Sequence, residues 1–152
     1  MAFTARQSIS LVLPAYNESQ NIEKSVKQAV NNLEMLGSDW EVVIVNDGSR
    51  DDTGAIIDGL AKEDPRIVAV HHPKNGGYGA ALTTGIRTAS KELILLCDSD
   101  LQFHLAEIPL LLMWIEQHDA VIGYREKRRD NWHRKLNAWG WNMVVRMTCD
   151  LK

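Results

Sequence analysis

The sequence predicts an α/β domain built on an open, mostly parallel sheet with helices on both faces. Two observations carry that prediction. Short aliphatic runs alternate along the chain with segments whose apolar residues recur every three or four positions, the alternation that parallel sheets require. One run, Leu93-Ile-Leu-Leu96, has no polar alternation at all, which suits a strand buried on both faces. At 152 residues, 45% hydrophobic and 24% charged, the chain has the size and composition of one domain with a proper core.

Residues 9–13 (ISLVL) read as the first strand, with Pro14 as its stop. The polar loop Pro14-Ala-Tyr-Asn-Glu18 leads to Ser19, a residue type that caps helices. Ile22, Val26, Val30 and Leu33 then share one helical stripe, Glu23 and Lys27 pair outside it, and Gly37 ends the helix. Residues 41–45 (EVVIV) form the second strand, followed by the tight loop Asn46-Asp-Gly-Ser-Arg-Asp-Asp-Thr53. Ile56, Ile57 and Leu60 mark a second helix, Pro65 closes it, and residues 67–70 make a third strand. The glycine-rich loop at 71–79 (HHPKNGGYG) precedes a helix at 80–89, and residues 93–96 are the fourth strand. Ile108, Leu111, Leu112 and Ile115 place a helix at 107–117, and residues 119–122 (DAVI) read as a short fifth strand.

Sheets of this kind bind ligands at the carboxyl ends of their strands, beside the switch point in strand order. With the common order 3-2-1-4, the loop after strand one faces the loop after strand four. Tyr16, Asn17 and Glu18 then share a crevice with Asp98 and Asp100, and Asp47 lines its far side. Asp98 and Asp100 fall where the fourth strand leaves the core. At i, i+2 in an extended chain their side chains point the same way and can converge on one cation. Hard carboxylate oxygens favour Mg²⁺ or Mn²⁺, which bridge to substrate phosphates, and Gln102 can add an amide oxygen. The plain alternative is a solvated Asp-Ser-Asp turn; the gathering of polar loops on one edge argues against it.

Other motifs are weaker alone. Asp47 in Asn-Asp-Gly-Ser is either a turn residue or an acceptor for a base or ribose. Asn75-Gly-Gly-Tyr-Gly79 offers backbone N–H groups to phosphate, with Lys74 beside it, although it matches no established phosphate-loop pattern. His71 and His72 read as structural. Arg125, Lys127, Arg128, Arg129, Arg134 and Lys135 crowd one segment with His133, and Trp132, Leu136, Trp139, Met143 and Met147 follow on or near one helical face. That helix either packs on the core or rests with its basic start on a membrane surface.

The formal net charge of −3 argues against nucleic acid as a partner. Two cysteines, Cys97 and Cys149, make neither a disulfide framework nor a zinc site. The first residues carry no signal-like run and no stretch reaches spanning length without charges, so a cytosolic protein, or the cytosolic part of something larger, is the expectation.

Val12-Leu-Pro-Ala-Tyr-Asn-Glu18, Val45-Asn-Asp-Gly-Ser49, Asn75-Gly-Gly-Tyr-Gly-Ala-Ala-Leu82 and Asp98-Ser-Asp-Leu-Gln102, in that order and spacing, resemble the inverting family 2 glycosyltransferases of the Rossmann-like GT-A fold. Asp-x-Asp-Leu-Gln followed by Glu107-Ile-Pro, and His133-Arg-Lys135 after a basic loop, are similar to the dolichol- and polyprenyl-phosphate mannosyltransferase-like branch. The resemblance implies a nucleoside-diphosphate sugar donor, UDP- or GDP-linked, held by Pro14, Tyr16, Glu18, Asp47, Lys74, Gly76 and Asp98. It implies a metal at Asp98, Asp100 and Gln102, an acceptor phosphate met by Arg125, Arg134 and Lys135, and a catalytic group of Asp98, Asp100 and Arg125. Phe103-His-Leu-Ala106 departs from the His-Pro-Pro of relatives. The family's catalytic domain usually runs beyond this length, so the expectation is a single catalytic domain truncated on its acceptor side. Residues 1–122 would be the nucleotide-sugar part and residues 123–152 the start of the acceptor part.

A hydroxyl acceptor needs a general base, whereas a lipid phosphate is already ionised. No convincing base follows the metal loop and a basic cluster does, which favours the lipid phosphate at a cytoplasmic membrane face. The rivals are a hydroxyl acceptor, a phosphatase with an Asp-x-Asp nucleophile pair, and a non-catalytic nucleotide-sugar-binding fragment. Against the phosphatase, the pair follows the fourth strand rather than the first, with Leu101 next.

Overall fold

The computed structural model describes residues 7–37, 39–98, 107–115 and 117–123. The chain divides into two units, Met1–Val121 and Ile122–Lys152, and every described element belongs to the first. In order these are β1 (Ile9–Ala15), α1 (Ile22–Leu36), β2 (Trp40–Asn46), α2 (Thr53–Glu63), β3 (Ile67–His71), α3 (Tyr78–Thr88), β4 (Leu93–Leu96) and α4 (Ile108–Ile115). The strands form a parallel sheet in the order β3-β2-β1-β4.

Two apolar layers sandwich the sheet, and side-chain alternation along each strand decides which layer a residue joins. Ile9, Leu11 and Leu13 of β1, with Val42 and Ile44 of β2, meet Ile22, Val26 and Leu33 of α1 and Ile57 of α2 on one face. Val12, Val43 and Val45 meet Ala81 of α3 on the other. The α1 stripe therefore packs as its periodicity requires, with Val30 half-buried at its margin. Gly37 ends the helix in the left-handed conformation, φ +66°.

Four sequence expectations need correction. Pro14 does not stop β1 but lies inside it, paired with Val45. The β1–β4 ladder closes where Cys97 N–H donates to the Val12 carbonyl, and the next rung on that side would need an N–H from residue 14. Proline has none, so the ladder ends there and β4 is released one residue before Asp98. Ser19 does not cap α1; the helix begins after Asn21, and the Ser19 N–H donates to Asp51 Oδ2 instead. The run 93–96 is not buried on both faces: Leu93 and Leu95 pack on the core, whereas Ile94 and Leu96 on the opposite face are 42% and 44% exposed, since α3 on that side packs over β1 and β2. Residues 119–122 form no strand and pair with none of the described strands; Ile122 is exposed.

Candidate active site

Three loops leave the carboxyl ends of β1, β2 and β3 together, and side chains stitch them. Asn17, in the left-handed conformation at φ +54°, donates its N–H to Ser49 Oγ and accepts from the Arg50 N–H through its own side-chain oxygen. Glu18 N–H donates to Thr53 Oγ1 at 2.8 Å, and the Thr53 hydroxyl donates in turn to Asp51 Oδ1. The Thr53 hydroxyl, with the Ser19 and Thr53 N–H groups, holds the Asp51 carboxyl down at about 2 against the pull of partial burial. Asn46 closes the turn by accepting from the Ser49 N–H, and its amide donates to His71 Nδ1.

The second junction is built on Asp47, only 3% exposed. Its Oδ1 accepts from the Gly76 N–H at 2.9 Å and from His72 Nδ1 at 2.6 Å, and its Oδ2 accepts from the Gly77 N–H at 2.8 Å. His72 Nε2 lies 2.9 Å from Thr84 Oγ1 on α3. Burial pushes the Asp47 carboxyl up, yet the bonds from Gly76, His72 and Gly77 outweigh it and leave it below its ordinary value. Gly48 permits this approach: a Cβ there would lie 2.4 Å from the Lys74 carbonyl carbon, and its φ of +67° suits glycine.

Between these junctions and β4 lies an open cleft of about 350 Å³ lined by Pro14, Ala15, Tyr16, Glu18, Asp47, Tyr78, Ala81 and Asp98. Asp98 is half-buried just beyond β4, and its Oδ1 accepts from the Tyr78 hydroxyl at 2.8 Å. An acidic cleft at the carboxyl edge of a 3-2-1-4 sheet is the arrangement in which a cation and a phosphorylated ligand meet.

The glycosyl transferase family 2 model matches residues 10–150. The chain belongs to that family. It is 32% identical over 146 residues to the undecaprenyl-phosphate 4-deoxy-4-formamido-L-arabinose transferase of Enterobacter sp. (strain 638), covering 95% of this chain and 45% of that protein. The chain thus spans less than half the length of this curated relative. In fold it is similar to a Pyrobaculum calidifontis mannosyltransferase solved with GDP-Man and Mn²⁺, at a TM-score of 0.63 and 24% identity, over 74% of this chain and 33% of that one. It is also similar to the Mycobacterium tuberculosis glucosyl-3-phosphoglycerate synthase solved with Mn²⁺, UDP and glucosyl-3-phosphoglycerate, at a TM-score of 0.54 and 28% identity, over 73% and 40%. The sheet described above is the GT-A fold of these glycosyltransferases.

Against this family 2 frame, Pro14, Tyr16, Glu18, Asp47 and Asp98 line the cleft. Lys74 is exposed and Gly76 is outside the lining. In the glycine-rich loop the Gly76 and Gly77 N–H groups both donate to Asp47 and so hold the loop to it. Asp100, Gln102, Arg125, Arg134 and Lys135 lie outside the described residues. Among the described residues no group of three or more His, Cys, Asp or Glu side chains gathers as a metal site, so Asp98 stands as the described member of the expected set. Sequence reasoning missed Tyr78, Asp51 and Thr53. Tyr78 carried no signal beyond an aromatic among glycines. Asp51 and Thr53 bind each other within one turn, but the Glu18 and Ser19 N–H groups that they also take lie on another loop.

Proposed function

We propose that this chain binds a UDP- or GDP-linked sugar in the cleft with Mg²⁺ or Mn²⁺ at Asp98, and serves transfer of that sugar to a polyprenyl phosphate. The observation that carries the reading is Asp98, released by the end of the β1–β4 ladder into a cleft shared with Tyr16, Glu18 and Asp47, in a family 2 chain. The donor set fits a hard divalent cation: a carboxylate at a strand end, with Asp100 and Gln102 following at alternate positions in the sequence. When bound, the metal neutralises charge that builds on the diphosphate as the sugar leaves. Pro14 and Tyr16 give the base an apolar wall, Tyr16 being 42% exposed at the rim. Asp47 meets the base or ribose through the acceptor capacity left on Oδ2, which takes one of its own chain's bonds where Oδ1 takes two.

The relative's name supports a polyprenyl phosphate acceptor. In this reading Arg125, Arg134 and Lys135 meet its phosphate at a cytoplasmic membrane face, and residues 1–122 and 123–152 divide the donor and acceptor roles. No helix among the described residues is long and apolar enough to cross a membrane. Calorimetry with UDP and GDP, with and without MnCl₂, tests the donor side: Asp98→Asn and Asp100→Ala each remove most of the metal-dependent gain in affinity. Equal affinity with and without metal in the unaltered chain overturns the reading. A second reading is nucleotide-sugar binding without transfer, which needs no more than the cleft residues Pro14, Tyr16, Glu18, Asp47 and Asp98. Binding without product from a labelled nucleotide sugar and polyprenyl phosphate would select it.

A further inference from the structure

The glycine-rich loop is fixed at both ends of a short span. Gly76 and Gly77 are held by Asp47 through bonds of 2.9 and 2.8 Å, with His72 bracing the same carboxylate. The very next residue, Tyr78, opens α3, and the first bonds of that helix return to the Gly77 carbonyl from the Ala80 and Ala81 N–H groups. Tyr78 is therefore latched on its amino side and wound into a helix on its carboxyl side. From that position its hydroxyl reaches Asp98 Oδ1 at 2.8 Å, across from another strand.

We propose that Tyr78 is a positioning residue for the metal-binding carboxylate: its hydroxyl sets the orientation of Asp98, and Asp47 holds Tyr78 in place through Gly76 and Gly77. Stability alone does not account for the contact. Tyr78 is 59% exposed, so water would satisfy both its hydroxyl and Asp98 if the two parted. Orientation is different. Asp98 lies just past the last rung of its ladder, where its side chain has two torsions to settle, and a hydrogen bond to one oxygen directs the other. Groups that orient a metal ligand in this way typically change metal affinity by about ten- to a hundredfold when removed. Asp47 thereby gains a role besides lining the nucleotide cleft.

The inference rests on the metal reading proposed above, and two measurements separate their failures. In the metal-free chain, the Asp98 carboxyl ¹³C resonance should move in Tyr78→Phe and in Asp47→Asn, while the Tyr78→Phe melting temperature stays within about 2 °C of the unaltered chain, as befits an exposed position. In calorimetry, Tyr78→Phe should lower the MnCl₂-dependent gain in UDP or GDP affinity about tenfold. In an Asp98→Asn background it should change nothing further, because its effect passes through that carboxylate. An unmoved Asp98 resonance in Tyr78→Phe overturns the proposal, as does an undiminished metal gain. An Asp98 resonance unmoved in Asp47→Asn alone removes the latch from it; should that variant not fold, His72→Gln replaces it. No metal gain in the unaltered chain overturns the metal reading, and the resonance then decides by itself whether Tyr78 orients Asp98.

Discussion

Gly48→Ala should weaken the fold far more than an ordinary glycine substitution, and the chain carries its own control. Gly48 and Gly37 sit at nearly the same backbone angle, φ +67° and +66°. A methyl group at either position costs about 1–2 kcal/mol for the left-handed conformation. At Gly37 nothing lies within 4 Å of the added carbon, so strain is the whole effect. At Gly48 the new Cβ would stand 2.4 Å from the Lys74 carbonyl carbon and 2.5 Å from the Asn75 nitrogen, both backbone atoms that cannot rotate aside. Ordinary carbon contacts lie at about 3.5–4.0 Å, so the glycine loop must retreat by about 1 Å or more. That movement stretches the bonds from Gly76 and Gly77 to Asp47, each about 1.5–3 kcal/mol as bonds to a charged group. Losing the equivalent of one bond, Gly48→Ala should cost about 1.5–3 kcal/mol more than Gly37→Ala. Urea unfolding of both variants measures the difference. Equal losses, within about 0.5 kcal/mol, would refute the argument that Gly48 exists to let the two loops touch.

Three further outcomes follow from other contacts. Glu41→Gln should destabilise by about 1–3 kcal/mol in urea unfolding, because the buried carboxylate accepts from Ser10 Oγ, the Ser90 N–H and Ser90 Oγ, and a neutral amide gives up the charge that strengthens these bonds. Gly85→Ala puts a methyl 2.3 Å from Val12 Cγ1 and should cost about 1–3 kcal/mol by overpacking; Val12→Ala in the same chain should restore part of the loss, which thermal unfolding of the double variant reads out. Asp51, lowered from 3.8 to about 2 in the folded chain, contributes stability that is complete above pH 4 and is lost as pH falls through about 2. Asp51→Ala should therefore flatten the stability–pH curve in that window, and an unchanged acid limb would show that the bonds to Thr53 and Ser19 contribute nothing.

Much of the fold could be read before the structure because it rests on periodicity. The α1 stripe follows from residue spacing, and the 3-2-1-4 order, assumed as the common one for such sheets, is what places the Tyr16 and Asp98 loops at one cleft. What stayed hidden depends on direction or on partners. A glycine amide reads the same whether it faces a phosphate or a carboxylate, so the bond from Gly76 to Asp47 leaves no mark in the sequence. An aliphatic run does not state which of its faces is covered, so the exposure of Ile94 and Leu96 was out of reach. Residues 119–122 have strand-like composition, but a strand is defined by the neighbour it pairs with. Tyr78 escaped notice because its partner lies at the far side of a helix and a strand, a distance that no local pattern spans.

The placing of β1 between β2 and β4 also orders events as the polypeptide leaves the ribosome. β1 is synthesised before both of its neighbours, yet the second of them exists only once residues 93–96 have been made. Until then a nascent chain can zip β1 to β2 and β3 and join their loops through Asn17, Ser49 and Thr53. Half of the cleft is thus assembled early and waits, with one flank of its central strand unpaired, an invitation to mispairing with other chains. Closing that flank brings together the paired strands farthest apart along the chain, the slowest kind of contact to make. The same event delivers Asp98, so an intermediate that has not yet protected its open edge is also one that lacks this carboxylate at the cleft.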